Sequence, residues 1–164
     1  MRIASDFPQT VAETFVATRE QIVLPKGMSY LIRRDDYPNP ICIWNYHPEW
    51  EIHYIPDAHG FAYVGDYIGS FSPGHLVLTG TNLPHNWVTP GTPSLPGRDL
   101  VLQFDAEALI ASRNACPEFD VLSRMNEIAR RGIEVTGPEA RDIGSMVIDL
   151  QTHSGGSGLG IFID

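Results

Sequence analysis

The chain has 164 residues, 43% of them hydrophobic and 19% charged, and carries a formal net charge of −9. That length suits one domain with its own hydrophobic core. The acidic balance argues against direct nucleic-acid contact, which needs clustered Lys and Arg, and only Arg33-Arg34 and Arg130-Arg131 form basic pairs.

Residues 1–20, with "TVAETFVATREQ" across their end, read as an N-terminal arm, either a short helix or irregular chain. From 21 to 104 short apolar runs recur at roughly 8- to 12-residue spacing with turn residues between them. They are "QIVLP", "SYLIRR", "ICIWN", "EWEIHYI", "GFAYVGD", "YIGSF", "HLVLTG", "HNWVTP" and "DLVLQF". Such a series predicts an antiparallel sandwich or barrel. "YVGDYIG" predicts a tight hairpin turning on Gly65-Asp66. From 105 to 164 the period lengthens and predicts helices. Asp105 is placed to cap the first. Phe119, Leu122, Met125 and Ile128-Ala129 share one face of the second, which Gly132 ends. Pro138 sits in the first turn of a third. "SGGSG" breaks that helix, and "LGIFID" begins another.

No apolar run reaches the roughly 18 residues of a membrane span. The N-terminus lacks the apolar core of a secretory signal. Cys42 and Cys116 stand far apart without CxxC spacing. A cytoplasmic chain with reduced thiols, and no membrane partner, is expected.

The stretch "NYHPEWEIHYIPDAHG", residues 45–60, holds three of the six histidines. Alternate residues of a strand share a face, so Asn45, His47, Glu49, Glu51, His53 and Ile55 point one way. Trp44, Tyr46, Trp50, Ile52 and Tyr54 point the other. Two readings stay open: a half-exposed strand with its polar face in water, or a polar face lining a barrel. In the second, imidazoles and carboxylates can hold a metal or orient a polar ligand. His85 follows Pro84 and can reach back to make His47, Glu51 and His85 a two-His, one-carboxylate set with open positions. His53 is a candidate pocket residue, and Gln103, alternating away from Leu102 and Phe104, a candidate ligand contact. Glu49 is expected at the rim, His59 and His75 at the surface, and His153 in solvent. Trp87, Tyr63 and Tyr30 offer stacking faces or core packing.

"HPEWEIHYI", "YVGDYIGSFSPGHLVLTGTNLPHNWV" and "DLVLQFDAEAL" together resemble the N-terminal sensor domain of AraC-type transcriptional regulators. The resemblance covers roughly residues 40–112, and "FDVLSRMNEIARRGIEVTG" is similar to that family's linker helices. It implies a cupin, a double-stranded β-helix (jelly-roll) barrel at 21–104, followed by C-terminal α-helices at 105–164 that link and dimerise. On the cupin pattern Asn45 takes the first histidine position, His47 the second, Glu51 the glutamate, and His85 the second-motif histidine. Asparagine is the departure, and it is the weaker ligand.

The resemblance implies a polar effector, a sugar or organic acid, bound by Asn45, His47, Glu51, His53, His85 and Gln103. No cofactor is required. A divalent metal (zinc, nickel, iron or manganese) would sit on His47, Glu51 and His85, with Asn45 as a weak fourth. The implied partners are the effector and a second copy of the chain. DNA would be reached only through a C-terminal helix-turn-helix domain that lies beyond Asp164. No catalytic residue is expected on this reading. The alternative is a stand-alone metal-dependent cupin enzyme, an isomerase or dioxygenase.

Overall fold

The computed structural model describes residues 16–153 and 155–163. The expectation for residues 1–15 lies outside the described residues. In chain order the strands are β1 (Thr18–Arg19), β2 (Tyr30–Tyr37), β3 (Asn45–Tyr46), β4 (Trp50–Ile55), β5 (Gly60–Val64), β6 (Tyr67–Phe71), β7 (His75–Thr79), β8 (His85–Val88), β9 (Leu95–Phe104) and β10 (Ile133–Val135). The helices are α1 (Ala106–Ala111), α2 (Asp120–Ala129), α3 (Pro138–Thr152) and α4 (Gly155–Ile163).

Two five-stranded sheets form, in the orders β1-β3-β8-β5-β6 and β10-β7-β4-β9-β2. From β2 to β9 the chain alternates between the sheets except at the β5-β6 hairpin, as two Greek keys do, which is jelly-roll topology. The expected barrel followed by C-terminal helices is the observed architecture. β1 adds parallel to β3, and β10 adds antiparallel to β7.

The hairpin falls where Gly65-Asp66 places it. Val64 pairs with Tyr67, leaving a two-residue turn, and Gly65 takes φ 58°. Asp105 caps α1, its Oδ1 accepting from the Ala108 amide at 2.9 Å. Pro138 opens α3.

Three expectations differ. "QIVLP" is not a strand. It carries the chain from β1 in one sheet to β2 in the other, and Pro25 has no amide to give a ladder. Of "ICIWN" only Asn45 enters a strand. The stretch 105–164, expected to hold helices, also includes β10, where Ile133 and Val135 on either side of Glu134 pair with Leu78 and Leu76. Two β-branched residues beside an open sheet edge outweigh the neighbouring helical pattern.

The core has two parts on opposite faces of the second sheet. Outside it, Trp50, Tyr54, Leu76, Leu78, Leu100, Leu102 and Phe104 meet Ala129, Ala140, Val147 and Leu150 from α2 and α3. Leu122 and Met125 join from α2, and Phe162 of α4 packs 4.8 Å from the Tyr30 ring. Each fully buried leucine here contributes about 1.5–3 kcal/mol. Ile128, expected on the packed face of α2, is 61% exposed. Inside the barrel, Ile55, Ala62, Val64, Phe71, Val77, Leu83 and Trp87 form the apolar half. The polar half is the candidate site.

Candidate functional site

β4 explains where the polar residues go. Its sequence alternates, and its inner register carries Glu51, His53 and Ile55 while Trp50, Ile52 and Tyr54 meet the helical layer. Glu51 is 2% exposed and His53 7%. Of the two readings left open by the alternation, the polar face lines the barrel. Asn45 and His85 are register partners across β3 and β8, and Gln103 lies opposite Glu51 across β9 and β4. His47 sits in the bend between β3 and β4, 1% exposed.

Glu51 is the hub. Its Oε2 accepts from Gln103 Nε2 at 2.7 Å and lies 3.1 Å from His47 Nε2. Its Oε1 is 2.9 Å from His53 Nδ1 and 3.7 Å from His85 Nε2. Burial alone would raise this carboxyl, but His85 and the hydrogen bonds from His47 and His53 hold it well below the usual carboxylate range. His47 is raised above the ordinary histidine value: burial works against its charge, and the Glu51 bond and charge outweigh burial.

A second carboxylate extends the network. His53 Nε2 lies 3.1 Å from Asp99 Oδ1. Burial disfavours its charge, yet bonds to Asp99 and Glu51 lift its pKa to about 9. The imidazolium stacks on Trp87 with centroids 3.7 Å apart at 15°, where the ring face attracts the cation. Asp99 is gripped by Arg98 through Nε and Nη2, each at 2.8 Å. Arg98 also donates to Thr89 Oγ1 and the Trp87 carbonyl, which fixes the guanidinium on both sides. On the other flank Arg33 reaches Glu20 at 3.2 Å and Asp35 at 2.7 Å.

His85 behaves differently. Its Nδ1 donates to the Leu83 carbonyl at 2.8 Å. Burial lowers its pKa despite the attraction of Glu51. That bond fixes the ring with Nε2 turned toward Glu51 Oε1, 3.7 Å away. His47 is held alike, with Nδ1 3.1 Å from the Glu49 carbonyl. Both rings are therefore fixed with Nε2 turned toward Glu51, and His47 would have to give up its Nε2 proton to ligate a metal. Asn45 turns its amide nitrogen to the carbonyls of Ile41 and Ile43, each at 3.2 Å. Its Oδ1 is buried without a hydrogen-bond partner among the described residues.

Ligand atoms of His47, Glu51 and His85 lie within 4.8 Å of one another. Asn45, Glu51 and His85 also line one cavity of about 30 Å³. Two imidazole nitrogens, a carboxylate and an orphaned amide oxygen suit a divalent cation once His47 is deprotonated. The residues present fit a metal. The cavity has room for an ion with one or two waters; a sugar ring needs more space than this conformation leaves.

All six sequence-predicted site residues, Asn45, His47, Glu51, His53, His85 and Gln103, come together. Glu49 is half-buried beside His47, and His59 and His153 are exposed. His75 is corrected: expected at the surface, it is 8% exposed and accepts from Trp87 Nε1 at 3.1 Å. Asp99, Arg98 and Arg33 were not anticipated. The signal for Asp99 was present, because it shares the alternation that turns Gln103 inward on β9.

No protein-family model and no curated protein matches the chain. Among solved structures it is similar to the apo form of ToxT K231A from Vibrio cholerae strain SCE256. Identity is 10%, TM-score 0.48, and coverage 83% of this chain and 52% of that one. It is also similar to Streptomyces albus HEPD with 2-hydroxyethylphosphonate and Fe(II) bound. Here identity is 18%, TM-score 0.39, and coverage 79% of this chain and 30% of that one. The chain thus spans about half the length of the first and under a third of the second. Among the described residues no helix is long and apolar enough to cross a membrane.

Proposed function

We propose that this chain is the ligand-sensing and dimerisation domain of an AraC-type transcriptional regulator, with a polar ligand taken at the barrel centre. The observation that carries the reading is the two-faced strand β4. Glu51 and His53 meet the ligand side, while the adjacent Trp50, Ile52 and Tyr54 pack toward the helical layer. A change at the site is one peptide unit from the helices. That gives a contiguous route by which binding shifts the states of an attached module.

His47, Glu51 and His85 would hold a divalent metal, with Asn45 Oδ1 as a weak fourth ligand. When bound, the metal would supply a Lewis-acidic centre for a carboxylate or hydroxyl of the ligand. Gln103 holds Glu51 in place, and Asp99 holds His53 charged beside the cavity.

A second reading, a stand-alone metal-dependent enzyme such as an isomerase or dioxygenase, is favoured by the two-His, one-carboxylate set alone. One experiment separates the two. Titrate the protein with nickel, zinc, manganese and ferrous ions, then with candidate sugars and organic acids, following thermal midpoint and amide exchange. The sensor reading expects a raised midpoint that His85→Ala removes, and altered protection in α2 to α4. Turnover of an added acid or sugar, with helical exchange unchanged, would replace it by the enzyme reading.

A further inference from the structure

The barrel is not closed on every side. β6 ends one sheet and β10 the other. A groove of about 580 Å³ reaches in beside them, walled by Ala62, Val64 and Val77 from the apolar half of the interior. None of the candidate metal ligands lines it.

The polar groups of this groove are mostly acidic. Asp66, Glu127 and Glu134 stand against a single cation, Arg131, whose Nη2 lies 3.8 Å from Asp66. Glu134 faces His75 instead, with Oε1 3.3 Å from Nδ1. The tautomer of His75 is set from behind. Trp87 donates to Nε2, so the neutral ring carries its hydrogen on Nδ1. Burial and the nearby His53 charge hold the ring neutral well into acid, with a pKa of about 4. A neutral His75 therefore stands beside the Glu134 carboxylate without cancelling its charge. Among the described residues no Lys or Arg makes an ion pair with Glu127 or Glu134. Tyr67, 50% exposed, adds an aromatic ring to the same lining.

We propose that this groove is a second ligand site, for a small organic monocation: an ammonium group on an apolar alkyl or aryl body. The body would lie on Val64 and Val77, where apolar burial drives binding. The ammonium would pair with Glu127 and Glu134 and meet the Tyr67 ring. A carboxylate ligand would face three acidic groups with one engaged arginine to answer them. The site is independent of the barrel-centre reading, because its residues and its ligand class are different.

The test uses the 164-residue chain and methyl NMR of Val64, Val77 and Ile128. The probes are hexylammonium, hexanoate and hexanol, which share one apolar chain and differ in charge. Saturable shifts at Val64 and Val77 are expected with hexylammonium, with affinity about tenfold above that for hexanoate. Glu134→Gln, a change at a half-exposed side chain, should weaken hexylammonium about fivefold. Added salt should weaken it further. Hexanoate or hexanol binding as tightly as hexylammonium overturns the ligand class. Unmoved Val64 and Val77 methyls, or a Glu134→Gln affinity equal to that of the parent, overturn the site.

Discussion

At the scale of single residues, Glu51 decides the character of the barrel centre. It is a buried anion that serves His47, His53 and Gln103. Removing one member of such a network leaves the others buried and underpartnered, at a cost of about 3–5 kcal/mol. Glu51→Gln is expected to lose stability in that range in urea unfolding followed by tryptophan fluorescence. A loss under about 1 kcal/mol, the scale of an exposed pair, would mean that the network does not hold the fold. His53 supplies a pH dependence with a definite sign. Its pKa of about 9 lies above the unfolded value of 6.5. Its contribution is therefore complete below pH 6.5 and lost as pH rises through about 9. Unfolding midpoints should fall across that window, and His53→Gln should flatten the fall.

Much of this centre was legible. The alternation in "HPEWEIHYI" turned His47, Glu51 and His53 to one face, and Pro84 placed His85 opposite them. Sequence periodicity says which residues share a face; it does not say which face is covered. Helices on the far side of the sheet settle that, and their docking is a long-range event. Arg98 and Asp99 were missed because their partners come from β4 and β8, across turns that no local pattern links. His75 was misjudged from its neighbours Pro73-Gly74, although the turn ends one residue before it and His75 already belongs to β7.

At the scale of elements, α3 lies close against the barrel at Gly144. A Cβ at Gly144 would lie 2.7 and 2.8 Å from Cε2 and Cε1 of Tyr54. Gly144→Ala should therefore destabilise by about 1–3 kcal/mol despite alanine's better helix propensity. A stabilised variant in a urea titration would show that α3 can slide away from β4. Gly80 makes a similar approach to α2, its amide donating to the Ala129 carbonyl at 2.9 Å. No local pattern marks these two glycines as spacers, because the contact that needs them is made only in the packing. The barrel strands themselves were readable because turn residues bracket them. β10 was not, since three residues become a strand only where an open edge accepts them.

For the molecule as a whole, the helical layer sets how copies would meet. Ile148 on α3 and Leu159 and Ile163 on α4 are each at least 40% exposed, although the inner faces of both helices are packed. The expected dimer would bury them. Sedimentation over a concentration series should show a monomer–dimer equilibrium, and Ile148→Glu should weaken it by roughly tenfold or more. A monomer at every concentration would remove dimerisation from the proposed function. With a net charge of −9 on each copy, association should strengthen as salt screens the repulsion.

The two-faced strand also constrains how this sequence can change. A single residue gained or lost within 50–55 would rotate every later side chain of β4 to the opposite face. Glu51 and His53 would then press against leucines, and tryptophan and tyrosine would fill the polar centre. Substitutions along β4 can be tested one at a time, but insertions and deletions there should be purged from any library selected for folding. Lineages of this domain would then be expected to differ in length in the largely exposed segment 90–94, while β4 keeps its count.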